Sequence, residues 1–223
     1  MKIKIKEFDK KCFDQKSAKF LYDLLKKKIK DTKKINVAFS GGNTPLPILF
    51  FLKDYDLDWS KINPFMVDER NVPNNHLKSN FYNLNKFFFD HINCNLLPMN
   101  SNKILSESRL SYEKFIFRNL SSKNKNYFDL ILLGMGNDGH IASLFPQTKA
   151  LLDTKNCVAI NYIPKLNESR ITLTFKSILS AKEIILITKS KEKKDLIKSN
   201  NAKILPIGRI LDHSENLTWI CEK

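Results

Sequence analysis

Glycine is scarce in this chain, six in 223 residues, so the few places that need a missing Cβ or a left-handed backbone stand out. Cysteine is scarce too. The four, Cys12, Cys94, Cys157 and Cys221, form no C-x-x-C pair, which argues against a zinc knuckle or a disulfide framework and for buried, reduced thiols. No apolar run reaches the ~20 residues of a membrane span, so no membrane partner is expected. The N-terminus MKIKIKEFDKK lacks the apolar core of a secretory signal and carries acids that transit peptides avoid. A soluble, cytoplasmic protein is the expectation.

Arginine is also sparse, although the formal net charge is +15. Base-edge reading and bidentate phosphate grip favour Arg, whereas here the basic residues are overwhelmingly Lys and spread along the whole chain. That distribution speaks against a nucleic-acid partner, while a positive surface still attracts a small anionic substrate.

With 42% hydrophobic residues, the chain is long enough for one sizeable core. There is neither an internal repeat nor a Pro/Gly/Ser linker, so residues 1–223 read as a single domain. Residues 13–30 space Phe13, Ala18, Leu21, Leu24, Leu25 and Ile29 as an amphipathic helix does. INVAF (35–39), PFMVD (64–68) and FDLILLG (128–134) read as buried strands, and RITLTF, EIILIT and LTWICE as further ones. Helices are expected from Thr44-Pro45, with Thr44 as N-cap, from Ser79 to Asp90, and over 106–120. KNKN (123–126) and the Lys-rich 189–198 read as solvated loop or helix face. Alternating strands and helices predict an α/β fold with a mostly parallel central sheet flanked by helices, and ligands bind such sheets beyond the C-terminal strand ends.

Three polar clusters follow strands. In SGGNT, Gly41 and Gly42 let backbone N–H groups approach a ligand, while Ser40, Thr44 and a helix start offer hydroxyls and partial positive charge to an anion. A plain strand-to-helix turn is the alternative. Asp68-Glu69-Arg70 places a guanidinium where it can meet phosphate or polarise a carbonyl, although such triplets are common on surfaces. Arg170 and a lysine near Lys193 are further anion-binding candidates. In LGMGNDGHIASLFP (133–146), His140 is the strongest single residue: imidazole titrates near neutrality, and Gly134, Gly136 and Gly139 leave space for a substrate beside it. Asp138 is two residues away, and spacing does not fix whether it orients the ring.

The blocks SGGNTP (40–45), DER (68–70) with SNFY (79–82), LGMGNDGHIASLFP (133–146) and RITLTF (170–175) together resemble the 6-phosphogluconolactonase family. The resemblance implies a three-layer, Rossmann-like α/β domain of the sugar-phosphate isomerase/CoA transferase-like kind, shared with glucosamine-6-phosphate deaminase and ribose-5-phosphate isomerase. It implies hydrolysis of 6-phospho-D-glucono-1,5-lactone to 6-phosphogluconate in the oxidative pentose phosphate pathway, with no cofactor and no metal. By the same resemblance His140 is the general base, with Asp138 and Arg70 as its catalytic neighbours. Ser40, Gly41, Gly42, Arg170 and Lys193 hold the phosphate, and Asn43, Thr44 and Asp68 complete the substrate-binding set. The partner implied is a phosphorylated sugar lactone, the protein being a monomer or weak homo-oligomer.

Three positions depart from the family pattern: Ser190 where a glycine is usual, Asn43 where Ser is usual, and Ile141 where Thr is more common. The sister activity, glucosamine-6-phosphate deamination, is associated with F-N-E-P after the D-G-H-I-A block and with D-E-Y in place of DER. Here Phe145 stands where the deaminase glutamate would be. A non-catalytic sugar-phosphate-binding protein is the remaining alternative.

Overall fold

The computed structural model describes residues 3–30, 32–100, 104–120, 128–213 and 216–223. The segment KNKN lies outside them. Strand β1 (Lys4–Phe8) precedes helix α1 (Phe13–Ile29), which buries Phe13, Ala18, Leu21, Leu25 and Ile29 along one stripe. Then follow β2 (Ile35–Phe39), α2 (Pro45–Leu52), β3 (Ile62–Met66), β4 (Asp68–Arg70), α3 (Asn80–Phe87) and α4 (Leu105–Asn119). The second half runs β5 (Leu130–Gly134), β6 (Val158–Ile163), β7 (Glu168–Leu173), α5 (Phe175–Leu179), β8 (Ile184–Thr188), α6 (Lys191–Lys198), α7 (Pro206–His213) and β9 (Leu217–Glu222).

Six strands form a parallel sheet in the order β1-β9-β8-β5-β2-β3, flanked by helices. Leu130, Ile131, Leu132 and Leu133 of β5 and all five residues of β8 are buried, as strands covered on both faces must be. Strands β5, β2 and β3 are neighbours pointing the same way, so the polar segments that follow them share one edge of the sheet.

A second sheet, antiparallel and three-stranded (β4-β7-β6), corrects two sequence expectations. PFMVD is not one strand. β3 ends at Met66, Val67 donates to Phe39 and accepts from Leu173, and Asp68–Arg70 continues as a strand of the other sheet. RITLTF belongs to that sheet too, because β6 and β7 form a local hairpin closed by the turn Pro164–Leu166, with Asn167 left-handed at φ 49°. Hydrophobic alternation cannot tell which sheet a strand joins.

Three smaller corrections have local causes. Helix α3 stops at Phe87 rather than Asp90: Phe88 leaves the helix at φ −143°, and a 3₁₀ turn follows at Phe89–His91. The break lets the consecutive Phe88 and Phe89 rings both reach Phe39, at 5.9 and 5.3 Å, which a continuous helix would point about 100° apart. Thr44 is already helical in backbone and makes no side-chain cap; the first turn instead closes from Leu46 N to Gly42 O at 3.3 Å. Cys94, Cys157 and Cys221 are buried free thiols, but Cys12 is only half-buried. Strand β1 was not foreseen. Its side chains Lys4, Ile5, Lys6 and Glu7 are exposed, and it pairs in parallel with β9 on the sheet edge. None of the helices among the described residues is long and apolar enough to cross a membrane.

Candidate functional site

The turn after β2 brings Ser40, Gly42, Asn43 and Thr44 to the rim of a pocket of about 220 Å³. Gly41 is not part of its lining. A Cβ there would lie 2.8 Å from Cβ of Asn80, so Gly41 is required by the close packing of this turn against the start of α3. Ser79 caps α3 by accepting from Tyr82 N at 3.1 Å, and Asn80 Nδ2 donates to the backbone oxygen of Asp68 at 2.9 Å.

Asp68, Arg70 and Arg170 reach the same pocket from the small sheet. Asp68 is buried, with Oδ2 accepting from Ser143 Oγ at 2.6 Å and Oδ1 from Asn80 Nδ2 at 3.3 Å. Its carboxylate is therefore engaged in tying β4 to the loop after β5. Arg70 donates from Nη1 to Lys78 O at 2.6 Å, and Arg170 from Nη2 to Glu168 at 3.1 Å. The Nε atoms of both arginines are buried without a hydrogen-bond partner. Buried donors of this kind are costly unless a ligand or water completes them. Behind them, Glu69 is fully buried: Oε1 accepts from Arg70 N and Asn80 N, both at 2.7 Å, and Oε2 from Ser79 Oγ and Phe81 N, both at 2.8 Å. Burial pushes this carboxyl upward, and the four donors oppose the shift.

Lys193, in the first turn of α6, lines the pocket, and burial lowers its pKa. Ser190, in the place of the usual glycine, caps α6 by accepting from Lys193 N at 3.4 Å. The lysine that sequence left uncertain is thus brought to the site.

The Gly-rich segment folds back on itself through bridges of Ile141 to Met135 and to Leu144. His140 lines the pocket. Its Nδ1 is 2.5 Å from Asp138 Oδ1, so Asp138 holds the ring although it does not itself line the cavity. With Nδ1 carrying the proton toward the carboxylate, Nε2 is left with the lone pair. Burial lowers the His140 pKa, and Asp138 partly opposes that. Burial alone would raise Asp138, but hydrogen bonds from Lys165 and His140 outweigh it and bring its pKa to about 2.

Gly134 and Gly136 line the pocket beside His140, and two glycines of this block also meet needs of the protein's own packing. A Cβ at Gly136 would lie 2.1 Å from His140 Cε1, so this glycine makes room for the imidazole itself. Gly139 is left-handed at φ 74° and abuts Leu205, while its oxygen accepts from Ile207 N at 3.0 Å. Two contacts were not legible in sequence. The Phe145 ring stacks on the His140 ring with centroids 3.9 Å apart, and Lys165 from the β6–β7 turn bonds Asp138 Oδ2. Phe145 lies within the Gly-rich block, but its stacking on the imidazole is not written there, and nothing in the local pattern of Lys165 marks it as belonging here. Among the described residues no group of three or more His, Cys, Asp or Glu is placed to hold a metal ion.

The arrangement is a cleft lined by Arg70, Arg170 and Lys193 with a half-buried imidazole at one side. A family model described as glucosamine-6-phosphate isomerases/6-phosphogluconolactonase matches residues 9–219. The chain is similar to the 6-phosphogluconolactonase of Chlamydia pneumoniae, 32% identical over 196 residues that cover 82% of this chain and 74% of that one. It is similar also to the GDH/6PGL endoplasmic bifunctional protein of Homo sapiens, 30% identical over 197 residues; the match takes in 82% of this chain but spans only 25% of that protein's length. The crystal structure of the 6-phosphogluconolactonase of Thermotoga maritima superposes with a TM-score of 0.83 at 26% identity, covering 100% of both chains. The chain belongs to the family of glucosamine-6-phosphate isomerases and 6-phosphogluconolactonases.

Proposed function

We propose that this protein hydrolyses 6-phospho-D-glucono-1,5-lactone to 6-phosphogluconate, with His140 as general base. The observation that carries the reading is the pairing of His140 Nδ1 with Asp138 beside a cavity that Arg70, Arg170 and Lys193 also line. Cations lining one cavity suit a phosphate, with Arg170 and Lys193 as its ligands, and binding of that group away from the reacting carbon fixes the lactone for attack.

In this mechanism Nε2 of His140 takes a proton from water as its oxygen bonds to C1, and the carbonyl oxygen becomes a tetrahedral oxyanion. Arg70 or backbone N–H groups of the glycine turns stabilise that charge. The intermediate then collapses, the bond from C1 to the ring oxygen breaks, and the imidazolium returns its proton to that oxygen. The resulting carboxylic acid ionises, and Asp138 keeps the ring in one tautomer throughout.

The deaminase reading finds less support. Position 145 carries a phenylalanine that is 3% exposed and packed flat on His140, so no acid is available there for ring opening.

A coupled assay tests the reading: glucose 6-phosphate and its dehydrogenase generate the lactone, and its disappearance is followed with wild type, with His140→Ala and without protein. Wild type should exceed spontaneous hydrolysis, and the variant should lose at least about a hundredfold of the enzymatic rate with its fold intact. Full turnover by His140→Ala would remove the base assignment.

A further inference from the structure

Lys165 belongs to none of the motifs discussed above. It sits in the turn Pro164–Leu166 of the small sheet, yet its Nζ donates to Oδ2 of Asp138, the carboxylate whose Oδ1 holds His140 Nδ1. The same ammonium lies 5.0 Å from the centroid of the Phe145 ring, on whose surface the imidazole is stacked. One cation therefore contacts both supports of the imidazole. Lys165 is not among the residues lining the cavity, and its side chain is 54% exposed, so it has no place as a phosphate ligand.

The turn that presents it is fixed. Asn167 N donates to Pro164 O at 3.1 Å, Tyr162 OH donates to Asn167 Oδ1 at 2.8 Å, and Asn167 closes the hairpin in the left-handed region. A carboxylate held at one oxygen can still rotate about its stem, whereas one held at both oxygens by groups from two separate turns cannot.

We propose that Lys165 is a positioning residue for the base: acting through Asp138 and the Phe145 ring, it locks the His140 imidazole with Nδ1 on the carboxylate and Nε2 free for the pocket. This rests on the reading of His140 as the base. The charged groups around the imidazole are Asp138 on its own turn, Asp68 on β4, Arg170 on β7 and Lys165 on the β6–β7 turn, with Arg70 and Lys193 across the cavity. Removing the Lys165 charge takes one cation from this set and leaves Asp138 to His140 alone. Both changes favour the imidazolium form.

The test uses Lys165→Met and Lys165→Arg, with kcat and KM followed against pH and the His140 ring titrated by NMR in the absence of substrate. The His140 signal is identified among the four histidines by its loss in His140→Ala. In Lys165→Met the titration and the acidic limb of activity should move up together by about half a unit to one unit, a modest shift for a half-exposed neighbour. Plateau kcat should fall roughly threefold to tenfold with KM unchanged, since only orientation is lost. Lys165→Arg, which keeps the cation, should behave as wild type. An unmoved titration in Lys165→Met, a rise in KM alone, or an Arg variant as impaired as the Met variant would each overturn the proposal. Wild-type turnover with an unresponsive titration removes the Lys165 role alone, whereas absence of wild-type turnover removes the lactonase reading and this proposal with it.

Discussion

Arg70 of β4 and Arg170 of β7 are directly opposed residues of the antiparallel ladder, and both line the same cavity. Two like charges facing each other across a ladder repel, so the pair is unfavourable until an anion lies between them. Glu168 partly neutralises Arg170, but both Nε atoms remain without partners. A bound phosphate would remove the repulsion. Arg170→Ala should therefore raise KM for the phosphorylated lactone by roughly tenfold to a hundredfold, with a smaller change in kcat, as loss of a charge-assisted contact does. Steady-state kinetics on the variant check this, and an unchanged KM would count against the phosphate role.

The pH profile of the wild type should follow the burial of His140. Burial lowers its pKa, and a base works only when neutral. Activity should accordingly persist below the ordinary imidazole value of about 6.5, with the acidic limb of kcat/KM falling under it. Rates measured from acid to neutral pH, with spontaneous hydrolysis subtracted, decide the point; a limb above the ordinary value would contradict it.

Gly136→Ala should separate activity from stability. The added methyl would meet His140 Cε1 at 2.1 Å and Nδ1 at 2.2 Å, and Gly136 is not in the left-handed region, so the backbone accepts alanine while the imidazole must move. Displacement of a reacting group by about 1 Å costs about a hundredfold in rate. Thermal unfolding should change little while kcat collapses, and a variant with wild-type kcat would show that the ring has another place to sit.

Glu69→Gln should act chiefly on stability. Each carboxylate oxygen accepts two donors, and the amide NH₂ of glutamine would turn a donor toward two of them. Leaving two buried donors unpaired should cost about 2–4 kcal/mol, read as a lower denaturant midpoint at unchanged slope. Arg70 and Asn80 would lose their anchor as well, so a fully active, fully stable variant would argue against this role for Glu69.

The parallel sheet was largely legible in sequence because buried strands such as LILL and INVAF read as short, largely apolar runs between glycine turns and amphipathic helices. Strand β1 was not read from the sequence, since an exposed edge strand such as KIKEF buries almost nothing and its short Ile-Lys alternation does not stand out among so many lysines. The break of α3 at Phe88 was hidden for a different reason: helical spacing cannot register that two consecutive rings both need to reach Phe39.

Composition and motif order were enough to determine the fold class and the family, and to single out His140, Arg70, Arg170 and the SGG turn, because these residues lie in short segments whose chemistry is local. Tertiary structure alone decided what surrounds the imidazole. Asp138 holds Nδ1, Phe145 lies against the ring, Gly136 vacates the space it occupies, and Lys165 arrives from a different sheet 27 residues farther along the chain. It also decided that Gly41 packs closely against Asn80, and that Asp68 is engaged with Ser143. The contacts of Lys165, Gly41 and Asp68 join segments distant in sequence, and the crossing of the chain from the parallel sheet to the antiparallel one at Val67 helps to bring such segments together.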